Sequence, residues 1–134
     1  MSIQNKQKIH ILVIEDDEFM QAILEEILQT NYRIDIKSDG MSALNHLQSG
    51  HLPDLIISDL NTPNMSGLEL IEQMKASDFF HSLPIIILSG EESSDKRIKC
   101  LEAGADDFLL KPFNPAELEA RIKGILRRVG KGIN

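Results

Sequence analysis

Short apolar runs alternate along this chain with longer segments in which apolar residues recur every three or four positions. A continuous apolar run suits a strand covered on both faces, and a three-to-four period suits a helix with one buried stripe. Five such pairs can be traced, with strands predicted at Ile9 to Ile14, Tyr32 to Ile36, Leu55 to Ser58, Ile85 to Leu88 and Asp107 to Leu110. The helical stripes are clearest at Met20, Ile23, Leu24, Ile27 and Leu28 in the first helix and at Leu118, Ile122, Ile125 and Val129 in the last. Start signals agree, because Ser66 with Glu69 predicts a capping box and Asn114, Pro115 and Glu117 predict an N-cap, a first-turn proline and a third-position carboxylate. Strand and helix in alternation imply an α/β fold of parallel strands joined by helical crossovers.

At 134 residues the chain fits one domain. No apolar run approaches the length of a membrane span, and the opening MSIQNKQKIH lacks the apolar core of a signal peptide, so the cytoplasm is the expected location and no membrane partner is expected. A formal charge of -7 argues against direct contact with nucleic acid, whose phosphates are bound by clustered Lys and Arg. The basic stretch from Arg121 to Lys131 falls at the end of a predicted helix, where cations complement the helix dipole. A lone cysteine, Cys100, rules out an internal disulfide and reads as a small residue on a helix. His10, His46, His51 and His81 show no metal-binding spacing and are expected at the surface or at strand ends.

Ligands of open α/β sheets bind beyond the carboxyl ends of the strands. Here the first strand runs into Glu15-Asp16-Asp17, the third into Asp59, the fourth into Ser89-Gly90 and the fifth into Lys111-Pro112. If the first and third strands are neighbours, Glu15, Asp16 and Asp59 converge. Carboxylates about 4 Å apart repel by roughly 4 kcal/mol per pair at an effective dielectric near 20. A hard divalent cation resolves that conflict, and magnesium favours one or two carboxylates, waters and a phosphate oxygen. Lys111 adds a second positive charge. With cations neutralising the incoming oxygens, a carboxylate can accept a phosphoryl group, and the Ser89 hydroxyl can donate to it. Asp17 taken alone reads as a helix cap.

The motifs ILVIEDD, PDLIISDLNTPNMSGLEL, LPIIILSGEE and AGADDFLLKPF, in that order, make the chain resemble the receiver domain of two-component response regulators over about residues 8–128. Short tails are expected at 1–7 and 129–134. The resemblance implies a flavodoxin-like, doubly wound, five-stranded parallel sheet of order 2-1-3-4-5 with five helices. It implies Asp59 as phosphoacceptor, Asp16 as a direct Mg2+ ligand, Glu15 as an acidic partner acting through water, and the backbone carbonyl of Asn61 as a further ligand. Ser89 is similar to the family's switch hydroxyl, Phe108 to its switch aromatic and Lys111 to its phosphate-binding lysine. The family's Lys-Pro bond is typically cis, which Lys111-Pro112 is then expected to be, and Asn61 and Glu91 stand where the family tunes the lifetime of the acyl phosphate. Thr62 and Ser66 depart from the commonest pattern, which bears on local loop geometry alone.

The function implied is a response regulator receiver that takes a phosphoryl group from a sensor histidine kinase or phosphotransfer protein and switches conformation to signal to a downstream protein the sequence does not identify. It is not expected to be an enzyme with a separate substrate. Asp59-Leu60-Asn61-Thr62 superficially resembles the motif of haloacid dehalogenase-type hydrolases, but the second aspartate that chemistry needs is missing. A pseudo-receiver usually loses an acid or the lysine, and this chain has both.

Overall fold

The structure, a computed structural model, describes residues 8–131. Strands and helices alternate: β1 (Ile9–Ile14), α1 (Glu18–Leu28), β2 (Tyr32–Lys37), α2 (Gly40–Gln48), β3 (Leu55–Asp59), α3 (Gly67–Lys75), β4 (Ile85–Ser89), α4 (Ser94–Ala103), β5 (Asp107–Leu110) and α5 (Pro115–Arg128). The five strands form one parallel sheet of order β2-β1-β3-β4-β5.

The chain steps outward from β1 to β2, then returns past β1 to β3 and continues in that direction. Parallel crossovers keep one hand, so reversing direction moves the connecting helix to the other face. Accordingly Leu24 and Leu28 of α1 and Leu118, Ile122, Ile125 and Leu126 of α5 pack with Ile11, Val13 and Ile57 on one face. Residues of α2, α3 and α4 pack with Leu12, Ile14, Ile56 and Ile87 on the other. Alternate side chains of β1, β3 and β4 thus enter different cores, which is why those strands read as unbroken apolar runs.

Three predicted strand ends move outward by one residue, to Lys37, Asp59 and Ser89. Asp59 pairs with Leu88 and Ser89 with Leu110, so both polar residues are ladder members and not the first loop residues. The predicted stripe of α5 is corrected at its end: the helix stops at Arg128, Val129 is its C-cap and 41% exposed, and Leu126 is buried instead. The predicted caps form, with Ser66 and Glu69 closing a reciprocal capping box and Asn114 Oδ1 accepting from the Ala116 and Glu117 amides.

Two of the histidines share one carboxylate. His10 is 7% exposed, and its Nε2 lies 2.8 Å from Asp35 Oδ2, to which His46 Nε2 also lies at 3.3 Å. Asp35 leaves the exposed edge strand β2 towards α2, and two imidazoles satisfy it there. The tail expected at 1–7 lies outside the described residues, as do 132–134 of the other; Lys131 is tied back to Asp54 at 2.7 Å. Among the described residues no helix is long and apolar enough to cross a membrane.

Candidate functional site

The strand order reverses between β1 and β3, and side chains beyond the carboxyl ends of those strands share a crevice. Ladder hydrogen bonds continue past the strands and hold the next residues too. Glu15 N donates to Lys37 O at 3.0 Å, Leu60 N to Leu88 O at 2.9 Å and Lys111 N to Ser89 O at 2.7 Å. Gly67 allows α3 to begin against the end of β3, because a Cβ there would come 2.9 Å from the Asp59 carbonyl oxygen. Its amide donates to Leu60 O at 2.8 Å.

The structure brings Glu15, Asp16, Asp59 and Lys111 together. Ligand atoms of the three carboxylates all lie within 4.8 Å of one another. Lys111 Nζ bridges two of them, at 2.9 Å from Glu15 Oε1 and 3.0 Å from Asp59 Oδ1. Glu15 is only 1% exposed, and its other oxygen, Oε2, accepts from the Asp17 amide at 3.2 Å. Burial pushes its carboxyl above the usual range, although Lys111 and the Asp17 amide pull it back. Burial acts on Lys111 in the opposite sense, but its hydrogen bonds to Glu15 and Asp59 outweigh it and hold the ammonium above its ordinary value.

Both Glu15 oxygens are therefore engaged by the protein, whereas Asp16 is exposed and Lys111 takes only Oδ1 of Asp59. Three carboxylates face one ammonium, so ionising them all leaves excess negative charge in a small volume. An all-oxygen donor set of that charge fits a hard divalent cation such as Mg2+. Asp17, as its residue type suggested, caps α1 by accepting from the Met20 amide at 3.0 Å.

Ser89 is buried at the end of β4, and its Oγ accepts from the Glu91 amide at 3.0 Å, which leaves its O–H free to donate. Phe108 lies on the edge strand β5, partly buried against the core under α4. It lines a hollow of about 140 Å³ together with Ser93, Arg97 and Leu110, and a second of about 420 Å³ together with Pro112, Phe113 and Arg121. The Lys111-Pro112 peptide is cis. Thr62 is buried and its hydroxyl donates to Met65 O at 2.5 Å, which closes the turn after Asn61.

One group of contacts was not foreseen. Asn61 Nδ2 donates to Glu91 Oε1 at 2.7 Å, and Lys96 Nζ donates to both oxygens of that carboxylate, at 3.2 and 2.8 Å. Glu91 precedes α4 and stands five residues from Lys96, so the three- and four-residue spacing of helical ion pairs does not reveal it.

Comparison with known proteins agrees with this geometry. The family model for the response regulator receiver domain matches residues 11–123. The transcriptional regulatory protein PrrA of Mycobacterium leprae is 40% identical over 121 residues, which cover 90% of this chain and 51% of that protein. This chain thus spans about half the length of the curated relatives it matches. A putative response regulator from Chloroflexus aurantiacus superposes with a TM-score of 0.86 at 32% identity, covering 91% of this chain and 100% of the other. The receiver domain of the sensor histidine kinase PA1611 from Pseudomonas aeruginosa, solved with a magnesium ion coordinated in its active-site cleft, superposes with a TM-score of 0.77 at 31% identity, covering 90% of this chain and 96% of that one.

Proposed function

This chain belongs to the response regulator receiver domain family, and from that premise we propose that Asp59 accepts a phosphoryl group from the phosphohistidine of a sensor histidine kinase or phosphotransfer protein in the cytoplasm. An Asp59 oxygen attacks phosphorus as the P–N bond breaks, and the electron pair leaves with the imidazole. Mg2+, held by Asp16, Asp59 and the Asn61 backbone carbonyl with Glu15 acting through water, would neutralise the phosphoryl oxygens as they approach.

The observation that carries this reading is the Lys111 bridge. Its ammonium sits 3.0 Å from Asp59 Oδ1 and is held at the same time by Glu15 Oε1 at 2.9 Å. It can therefore pass from Asp59 to a phosphoryl oxygen without losing its anchor. Rotation of the Ser89 side chain brings its free O–H to another of those oxygens and carries Oγ away from the Glu91 amide. That loosens the start of α4. The two hollows that Phe108 lines give its ring space in which to move. The acyl phosphate thereby favours one of two packings of the α4 and β5 surface, which a downstream protein reads. The chain catalyses only its own phosphorylation and dephosphorylation, and turns over no separate substrate.

The test is labelling by acetyl phosphate with Mg2+, or by a cognate kinase. Wild type should gain one phosphoryl group by intact mass, and Asp59→Asn none. Equal labelling of Asp59→Asn and wild type would overturn the assignment.

A further inference from the structure

The Asn61, Glu91 and Lys96 chain reaches from the candidate metal site to the first turn of α4. Leu60 is pinned by its amide to Leu88 O at 2.9 Å, and Thr62 by its hydroxyl to Met65 O at 2.5 Å. Between these pins Asn61 is exposed, and its side chain is restrained by Glu91 at 2.7 Å. Glu91 is in turn held by Lys96 through both carboxylate oxygens. Lys96 is the third residue of α4, where the partial positive charge of the helix N-terminus disfavours a cation. Helix stability therefore does not account for a lysine there, whereas its contact with Glu91 does.

We propose that Lys96 is a positioning residue for the metal site, holding the Asn61 loop in its metal-binding shape through Glu91. This rests on the reading that Asn61 offers its backbone carbonyl to Mg2+. The restraint runs both ways. A partner that draws Lys96 away from Glu91 loosens the site, and a cation that orders the Asn61 loop favours the docked Lys96 by the same factor. This route to α4 differs from the one through Phe108, since it joins side chains on the outer rim of the site, and it meets the Ser89 route at Glu91, whose amide donates to Ser89 Oγ at 3.0 Å.

The pair is solvent-exposed and contributes little to folding, so its role separates cleanly from a structural one. Lys96→Ala, Lys96→Arg and Asp16→Asn should be compared with wild type by calorimetric Mg2+ titration and by thermal unfolding without metal. Lys96→Ala should bind Mg2+ about two- to fivefold more weakly with little change in the unfolding midpoint, and Lys96→Arg should recover most of that affinity. Wild-type affinity in Lys96→Ala overturns the proposal, as does a fall in affinity that tracks a fall in midpoint and is not rescued by arginine. The Asp16→Asn variant isolates the underlying reading: Mg2+ binding equal to wild type there means that the metal assignment itself has failed, whatever Lys96 does.

Discussion

Helices α3 and α4 follow the two strands that end in Asp59 and Ser89, and both begin with a serine cap, yet they are held in very different ways. Helix α3 buries Gly67, Leu70, Ile71 and Met74, while α4 buries Cys100 and leaves Ile98 and Leu101 at 48% and 44% exposure. Burying each large apolar side chain contributes about 1.5–3 kcal/mol, so the three on α3 outweigh a single thiol severalfold. The loops differ in the same sense. The loop before α3 is fixed by backbone and buried contacts at Leu60, Thr62 and Gly67, and the one before α4 by a single buried hydroxyl, Ser89, on the Glu91 amide and by exposed side chains at Glu91 and Lys96. A site that must hold Asp59 still and yet transmit a change needs one rigid wall and one that opens at low cost.

The largest effect that tests this contrast is in the cores. Leu70→Ala should cost about 2–5 kcal/mol in urea unfolding, because a fully buried side chain leaves a cavity beneath α3. Ile98→Ala on α4 should cost about 0.5 kcal/mol or less. Comparable losses in the two variants would mean that α4 is packed as firmly as α3, and the contrast would collapse.

The rigid part of the molecule was also the more legible in sequence. Ile11 to Ile14, Leu55 to Ile57 and Ile85 to Leu88 announce buried strands because both faces of those strands meet a core, and that signal does not depend on neighbours far along the chain. The acids and Lys111 could be placed together because each stands at the end of such a run. Asp59 and Ser89 were set one residue outside their strands because a polar residue after an apolar run reads as loop, while the ladder continues to the neighbouring strand. The contact that His10 and His46 share was hidden for a related reason. It is made through Asp35 on β2, which no local period reveals. The Glu91 contacts lie in the same category, since they join two loops and a helix through side chains with no repeating spacing.

Cys100 supplies a probe of the mobile wall, being the one buried residue of α4. Alkylation by iodoacetamide should proceed through local undocking of α4, so Leu70→Ala should lower the urea midpoint strongly while changing the alkylation rate little. Rates that follow global stability would show that α4 does not open alone. Burial raises the folded thiol above its ordinary value of 9.0, against a smaller opposing pull from Lys96. The undocked thiol therefore loses its proton first as pH rises. Undocking should be independent of pH well below 9.0 and grow more favourable above it, in the direction opposite to an acid-triggered opening.

The smallest effect concerns the two caps. Ser66 Oγ accepts from the Glu69 amide at 3.1 Å, and Glu69 Oε1 accepts in return from the Ser66 amide at 2.9 Å. Ser93 Oγ accepts from the Lys96 amide at a longer 3.3 Å, and the third helical residue there is a lysine, which cannot accept in return. Ser66→Ala should cost about 1 kcal/mol in global unfolding, and Ser93→Ala roughly 0.5 kcal/mol. The sites of these losses should differ more than their sizes. A cap on α3 is lost from a helix that unfolds with the whole domain, whereas a cap on α4 is lost from one that can undock by itself. Ser93→Ala should therefore speed alkylation of Cys100 and lower the urea midpoint slightly, whereas Ser66→Ala should lower the midpoint further and leave the alkylation rate unchanged. If both variants shift the midpoint and neither changes the alkylation rate, the two helices unfold as one cooperative unit, and the wall around Ser89 is as rigid as the wall around Asp59.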